Sequence, residues 1–357
     1  MNNRMKNLGF SEMYMQEATM YENYFLGRVI SQHKDMYRIA LEDGEINGEV
    51  SGKMRYTAMT PLDFPVVGDF VMVDRKADEQ GAAIIHKILT RKSIFVRKAA
   101  GKVPKPQAVG SNIDTVFLCM SLNQDYNLRR LERYFAVALD SGATPVIVLT
   151  KADLCDDIEV KLNEVQQITL GYDVVVTSSN IEHGHETVKK YIEPGKTVAF
   201  IGSSGVGKST LINRLLNQDL ISTQGLRNDD KGRHTTTSRE LLLIPDGGAV
   251  IDTPGMRELG LESANIVESF EDIEDLILKC KFSNCRHGNE PGCAVREAID
   301  HGELTEDRFQ NYLKLKKEAK YDGLNAKQIE KKKIDEMFGS MGGMKNAREY
   351  IKSKKKR

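Results

Sequence analysis

Residues 202 to 209 read Gly-Ser-Ser-Gly-Val-Gly-Lys-Ser, directly after the apolar run Thr197 to Ile201 and directly before the helical stretch Thr210-Leu-Ile-Asn-Arg-Leu-Leu. Gly-x4-Gly-Lys-Ser between a strand and a helix is the pattern of a loop that wraps phosphates. Its glycines let the backbone curl so that successive N–H groups point inward at phosphate oxygens, and the helix N-terminus adds about half a positive charge. Lys208 is expected to reach the β- and γ-phosphates and to serve catalysis, and the Ser209 hydroxyl to ligate Mg²⁺. Gly202, Ser203, Ser204, Gly205, Val206, Gly207 and Thr210 complete the expected phosphate contacts.

This loop does not separate ATP from GTP. Thr150-Lys151-Ala152-Asp153 does, because it follows the apolar run Pro145 to Leu149 and matches the Asn/Thr-Lys-x-Asp pattern that reads guanine. The Asp153 carboxylate can accept from both N1–H and the 2-amino group of guanine, a paired contact that adenine cannot make. The aliphatic stem of Lys151 would cover the base face. Thr177-Ser178-Ser179 fits the short loop that backs the base. These residues disfavour a P-loop ATPase or a small-molecule kinase, for which no acceptor-site signature is present either.

Asp252-Thr253-Pro254-Gly255 follows the apolar run Ala249 to Ile251. Asp252 is the expected carboxylate that holds Mg²⁺ through water, and the Gly255 N–H the expected sensor of the γ-phosphate. Gly232-Arg233-His234-Thr235-Thr236-Thr237 lies in a polar stretch without apolar periodicity. Thr235 or Thr236 is expected to complete the Mg²⁺ shell, and the residues alone do not choose between them. Ras places a water-orienting glutamine after its Asp-x-x-Gly, whereas this chain has Met256, whose thioether cannot orient water. His234 is therefore the candidate for positioning the nucleophilic water once a partner orders the loop.

From 111 to 262, apolar runs at Thr115 to Met120, Pro145 to Leu149, Asp173 to Thr177, Thr197 to Ile201, Leu241 to Ile244 and Ala249 to Ile251 alternate with helical stretches. Those stretches are Leu128 to Leu139, Asp156 to Leu170, Glu186 to Tyr191 and Lys208 to Leu216. The rhythm predicts a multidomain α/β chain whose central domain is a mostly parallel sheet with helices on both faces. Residues 24 to 100 show four or five short strands, the last from Ala83 to Val96, without a convincing amphipathic helix; that pattern predicts an OB-like β-barrel. Residues 1 to 23 read as a helical leader, 101 to 110 as a linker, 263 to 330 as a helical module bearing a cysteine–histidine cluster, and 331 to 357 as a basic tail.

Net charge is zero, but from Lys314 onward 15 Lys and Arg stand against 6 Asp and Glu. Arg91 to Lys105 is a second basic stretch without an acidic residue. Together they predict a polyanionic partner. Tyr37, Tyr56 and Phe64 could stack on bases or belong to the barrel core. No run approaches the ~20 apolar residues of a membrane span, so no membrane partner is expected. The first twenty residues lack an apolar h-region, which predicts a cytoplasmic location. In such a compartment, five cysteines with three of them inside fourteen residues favour metal over disulfide.

Ordinary GTPases run phosphate loop, switch threonine, Asp-x-x-Gly, then base reader. Here the base reader at 150 and its backing loop at 177 precede the phosphate loop at 202 and Asp252. A fold with neighbouring termini tolerates relocated ends, so the permuted chain can build the same site. On these motifs in this order, the chain resembles the small ribosomal subunit biogenesis GTPases, the RsgA or YjeQ family, over about residues 24 to 330. The resemblance implies a circularly permuted P-loop GTPase domain between an OB-like barrel and a C-terminal helical zinc-binding module. It also implies Mg²⁺-dependent GTP hydrolysis stimulated by the small ribosomal subunit, contact with its rRNA, and a role late in that subunit's maturation. The nearest alternatives are a GTPase of large-subunit assembly and a GTP-dependent RNA-binding scaffold. Cys280, Cys285, His287 and Cys293 match the spacing this family uses for zinc, and three thiolates with one imidazole suit a closed structural site. The chain is expected to be a monomer.

Overall fold

The computed structural model describes residues 3–77, 81–98, 106–169, 171–178, 184–203, 205–218, 239–245, 247–252, 270–288 and 290–320. Two short helices, α1 (Asn3–Asn7) and α2 (Glu12–Ala18), lead into strands β1 (Phe25–His33), β2 (Met36–Ala40) and β3 (Glu45–Val50). Helix α3 (Gly52–Thr57) and strands β4 (Phe70–Val73) and β5 (Ala83–Ile88) follow. The strands run in the order β1-β2-β3-β5-β4, and β4 returns to β1, pairing Val73 with Phe25 and Phe70 with Arg28. Closure leaves no free barrel edge. Val29, Ile39, Ile46, Val71 and Ile85 are buried in the resulting core.

An OB-type barrel commonly carries its plug between the third and fourth strands, but α3 buries none of its residues. The leader does that packing. Met5, Leu8, Phe10 and Tyr14 are buried, with Phe10 edge-on to Phe70 at 5.3 Å and Tyr14 stacked on it at 3.8 Å between ring centroids. Tyr37 belongs to the core and Phe64 packs partly buried against it, while Tyr56 is 92% exposed.

Two sequence expectations change here. The single strand expected from Ala83 to Val96 is two strands, β5 and β6 (Ile94–Lys98), and Pro106–Ser111, placed in the linker, is strand β7, antiparallel to β6. The basic stretch is also partly consumed by structure. Arg91 clamps the buried Asp69 carboxylate at 2.8 and 2.7 Å and donates to the Leu62 and Phe64 carbonyls. A guanidinium so engaged holds the barrel's last strand to its core and is withdrawn from any polyanion.

The central domain contains β8 (Thr115–Ser121), α4 (Leu128–Ser141), β9 (Thr144–Thr150), α5 (Ile158–Ile168), β10 (Val174–Val176), α6 (Glu186–Lys189), β11 (Thr197–Gly202), α7 (Lys208–Leu216), β12 (Arg239–Leu243) and β13 (Ala249–Asp252). The strand order is β10-β9-β8-β11-β13-β12, parallel except for β12. Side chains alternate between two apolar layers as the strand period requires. Val116, Leu118, Ile147, Leu149, Ala199 and Ile201 join the layer of α4 and α5, and Phe117, Cys119, Val146, Val148, Val198 and Phe200 that of α6 and α7. Beyond its barrel pairing, β1 continues past a bulge to pair with β12, Ser31 opposite Glu240, so barrel and central sheet are continuous.

Among the described residues, helices α8 (Glu271–Leu278), α9 (Ala294–Asp300) and α10 (Glu306–Lys320) form the last module. It docks on α4 through Glu132, 2% exposed, which accepts from Arg308 and Asn311, each at 2.5 Å. Phe270, Ile273, Phe309 and Tyr312 continue the layer beneath α4. Among the described residues no helix is long and apolar enough to cross a membrane. The basic tail, 331 to 357, lies outside the described residues.

Candidate functional site

Strands β8, β9, β10, β11 and β13 are parallel, so their C-terminal ends share one edge of the sheet, the place where ligands sit in such folds. Thr150 ends β9 and Gly202 ends β11. The Thr150 hydroxyl donates to the Val206 carbonyl at 2.6 Å and lies 3.3 Å from that of Met120. The two motifs, written in reverse of the usual order, are therefore stitched together side by side.

The phosphate loop takes the shape its glycines permit. A Cβ at Gly202 would stand 2.6 Å from the Cys119 carbonyl oxygen, and Gly205 and Gly207 have φ of +72° and +106°. Beneath it, burial pushes the Cys119 thiol up to about 12 against the opposing pull of Lys208, so Cys119 is packing. The Lys208 ammonium donates to the carbonyls of Gly202 at 2.8 Å and Ser203 at 2.7 Å. Ser209 and Thr210 lie in the first turn of α7.

Lys151 is left-handed at φ 56°, and Ala152–Leu154 form one 3₁₀ turn that turns Asp153 back towards the strand ends. Thr177 accepts from the Ala152 N–H at 3.3 Å, and the buried Ser178 donates its hydroxyl to the Asp153 carboxylate. The expected backing loop thus meets the expected base reader. Ser179, Ser204, His234, Thr235, Thr236 and Gly255 lie outside the described residues.

Asp252 ends β13 opposite Glu240. Burial raises its carboxyl above the ordinary range, Lys208 nearby lowers it, and Glu240 adds to the rise. A half-buried carboxylate beside a like charge is well disposed to a hard cation.

Sequence reasoning overlooked the link between β8 and α4. Its Asp125 accepts from the Ser203 hydroxyl at 2.7 Å and is held by Arg130 at 2.9 and 3.0 Å. The signal available was Asn123-x-Asp125-x-Asn127, three turn-forming side chains at a strand-to-helix junction.

Cys280, Cys285, His287 and Cys293 place their ligand atoms within 4.8 Å of one another, a group that could hold a metal ion. His287 Nδ1 is 3.6 Å from the sulfurs of both Cys280 and Cys293, which are 3.9 Å apart. Tetrahedral zinc, with Zn–S about 2.3 Å and Zn–N about 2.0 Å, requires S···N near 3.5 Å and S···S near 3.8 Å; the spacings among Cys280, His287 and Cys293 fit that ion, and Cys285 stands within 4.8 Å of them as the fourth donor. The knuckle closes where Lys281 N–H donates to the Gly292 carbonyl at 3.0 Å, and Arg296 secures the His287 carbonyl at 2.7 Å.

A sequence profile described as RsgA GTPase matches residues 88–262. Over 342 residues, 96% of each chain, the sequence is 47% identical to a protein of Lactiplantibacillus plantarum named small ribosomal subunit biogenesis GTPase RsgA 2. A Vibrio parahaemolyticus protein of the same name is 42% identical and covers 100% of this chain and 95% of its own. Among solved structures, YjeQ from Thermotoga maritima aligns with TM-score 0.60 at 30% identity, covering 83% of this chain and 98% of its own. YloQ, described as a circularly permuted GTPase, aligns with TM-score 0.56 at 26% identity over 84% of this chain and 96% of its own.

Proposed function

The chain belongs to the RsgA GTPase family and is a GTP-hydrolysing enzyme, and from that premise we propose that it binds the small ribosomal subunit and hydrolyses GTP there, late in the subunit's maturation. Guanine is read by Asp153, oriented by Ser178, with Lys151 covering the base. The triphosphate lies along residues 202 to 210, and Lys208 exchanges its own loop's carbonyls for the β- and γ-phosphates. That exchange swaps neutral acceptors for anionic ones and makes phosphate entry favourable. Ser209, Asp252 and Thr235 or Thr236 hold Mg²⁺, which neutralises charge developing on the phosphoryl oxygens. Gly255 senses the γ-phosphate, and His234 positions the attacking water when the subunit orders its loop. The cysteine–histidine group holds one structural zinc ion, which leaves no open position for catalysis.

The observation that carries this reading is the Thr150 hydroxyl on the Val206 carbonyl, which joins base reader to phosphate loop. Asp153→Asn exchanges an acceptor for a donor opposite the guanine 2-amino group, so preference should pass from GTP to xanthosine triphosphate. Competition binding measures it, and unchanged guanine selectivity removes the assignment. Turnover of GTP is then measured with small subunits, with large subunits and with neither. Stimulation is expected with small subunits, and equal stimulation by large subunits would place the enzyme in the other assembly line.

A further inference from the structure

The link from β8 to α4 is short and held at several points. Leu122 N–H donates to the Thr150 carbonyl at 2.9 Å, and the Tyr126 hydroxyl donates to Glu164 on α5 at 2.9 Å. Asn123 Oδ1 accepts from the Asp125 N–H at 3.1 Å, and Asn127 Oδ1 caps α4 by accepting from the Arg130 N–H at 2.9 Å. Asp125 therefore stands fixed between the base-reading strand end and the phosphate loop. Its carboxylate accepts from Ser203 Oγ, while the Ser203 carbonyl accepts from Lys208. Arg130, Asp125, Ser203 and Lys208 form one chain of contacts leading into the nucleotide site.

A carboxylate attached to a phosphate loop is electrostatically adverse, because it repels the polyanion that the loop must take. Arg130 touches both of its oxygens, and the ammonium of Lys151 also acts on it. We propose that Asp125 is a positioning residue for the nucleotide: it holds the phosphate loop from outside through Ser203, and Arg130 cancels its charge so that the loop still accepts a polyphosphate. The proposal rests on the nucleotide-site reading above. Because the Asp125 and Arg130 side chains are 43% and 33% exposed, solvent and salt screen the pair and the effect is moderate.

The test uses the full-length protein and a fluorescent GDP analogue, with binding and dissociation followed at about 0.05 M and about 0.5 M salt. Arg130→Gln exposes the bare carboxylate and should weaken binding about three- to tenfold at low salt, with the defect fading at high salt. Adding Asp125→Asn to that variant removes the repulsion, keeps an acceptor for Ser203 and should restore affinity. Asp125→Ala alone should speed dissociation, since Ser203 loses its acceptor, while Asp125→Asn alone should not. A merely structural pair would give losses that accumulate in the double variant. Failure of restoration, a salt-independent Arg130→Gln defect, or unchanged dissociation in Asp125→Ala overturns the proposal. If the unaltered protein itself fails to bind the analogue, the guanine-nucleotide reading fails instead, and this proposal with it.

Discussion

The cysteine–histidine cluster and the phosphate loop are both candidate ligand sites, but they hold themselves in opposite ways. In the cluster, the donors of Cys280, His287 and Cys293 stand 3.6 to 3.9 Å apart, spacings that suit a metal ion and satisfy little else. In the phosphate loop, the cation proposed to meet phosphate rests on two carbonyls of its own loop. A ligand kept for the life of the fold can be left to complete the structure. A ligand that turns over must enter and leave, so its site has to be tolerable between visits. The difference separates a structural site from a working one without reference to sequence motifs.

The sharpest way to break this contrast is Cys293→Ser. Cys293 is both a member of the cluster and the residue before α9, and Val295 and Ala298 beyond it are buried. Removing one donor of the proposed zinc site should cost about 3 kcal/mol or more and open residues 270 to 320, read as lost hydrogen-exchange protection there, and chelation should do the same. Protection that survives chelation would mean that the cluster is not part of the fold. Lys208→Ala should give the second largest effect with the reverse signature. Affinity for GTP and GDP should fall on the order of a hundredfold through loss of charge-assisted bonds, while unfolding of the nucleotide-free protein moves by less than about 1 kcal/mol. A large loss of stability without nucleotide would show that the lysine is structural after all.

Local signals put both candidate sites in view from the sequence. Gly-x4-Gly-Lys-Ser marks the end of β11 and the start of α7, whose bounds Lys208–Leu216 match the expected helix, and the cysteine–histidine spacing brought four donors together. Arg28 shows why the rest was not legible. In Phe25-Leu-Gly-Arg-Val-Ile it looks like an outward-facing strand residue, yet it is 1% exposed. Its guanidinium donates to Leu8 O at 2.5 Å in the leader, Gly68 O at 3.2 Å in the barrel and Thr197 Oγ1 at 2.8 Å in the central sheet. Those partners come from segments remote in the chain, and nothing local announces them. Arg91 misleads for the same reason, because its basic neighbours suggest a polyanion site while Asp69, twenty-two positions away, claims it.

Asp252→Asn should give the smallest effect and sharpen the contrast most. Burial holds the Asp252 carboxyl above its ordinary range. A group whose value is raised in the folded state contributes stability that is fully present below its ordinary value and lost as pH rises through the raised one. Above that raised value the ionised carboxylate is thus a burden on the nucleotide-free fold. Replacing it with the neutral isostere should raise the stability of that form by less than about 1 kcal/mol, with the gain disappearing as pH falls below the carboxylate range. The same substitution should abolish the extra stabilisation that Mg²⁺ gives to the GDP-bound protein, measured as the shift in thermal midpoint with and without the ion. A working site that gives up stability for its cation must show both signs at once. If Asp252→Asn destabilises the nucleotide-free protein, the carboxylate is held by the fold rather than for the ion, and the distinction between the two sites fails at this residue.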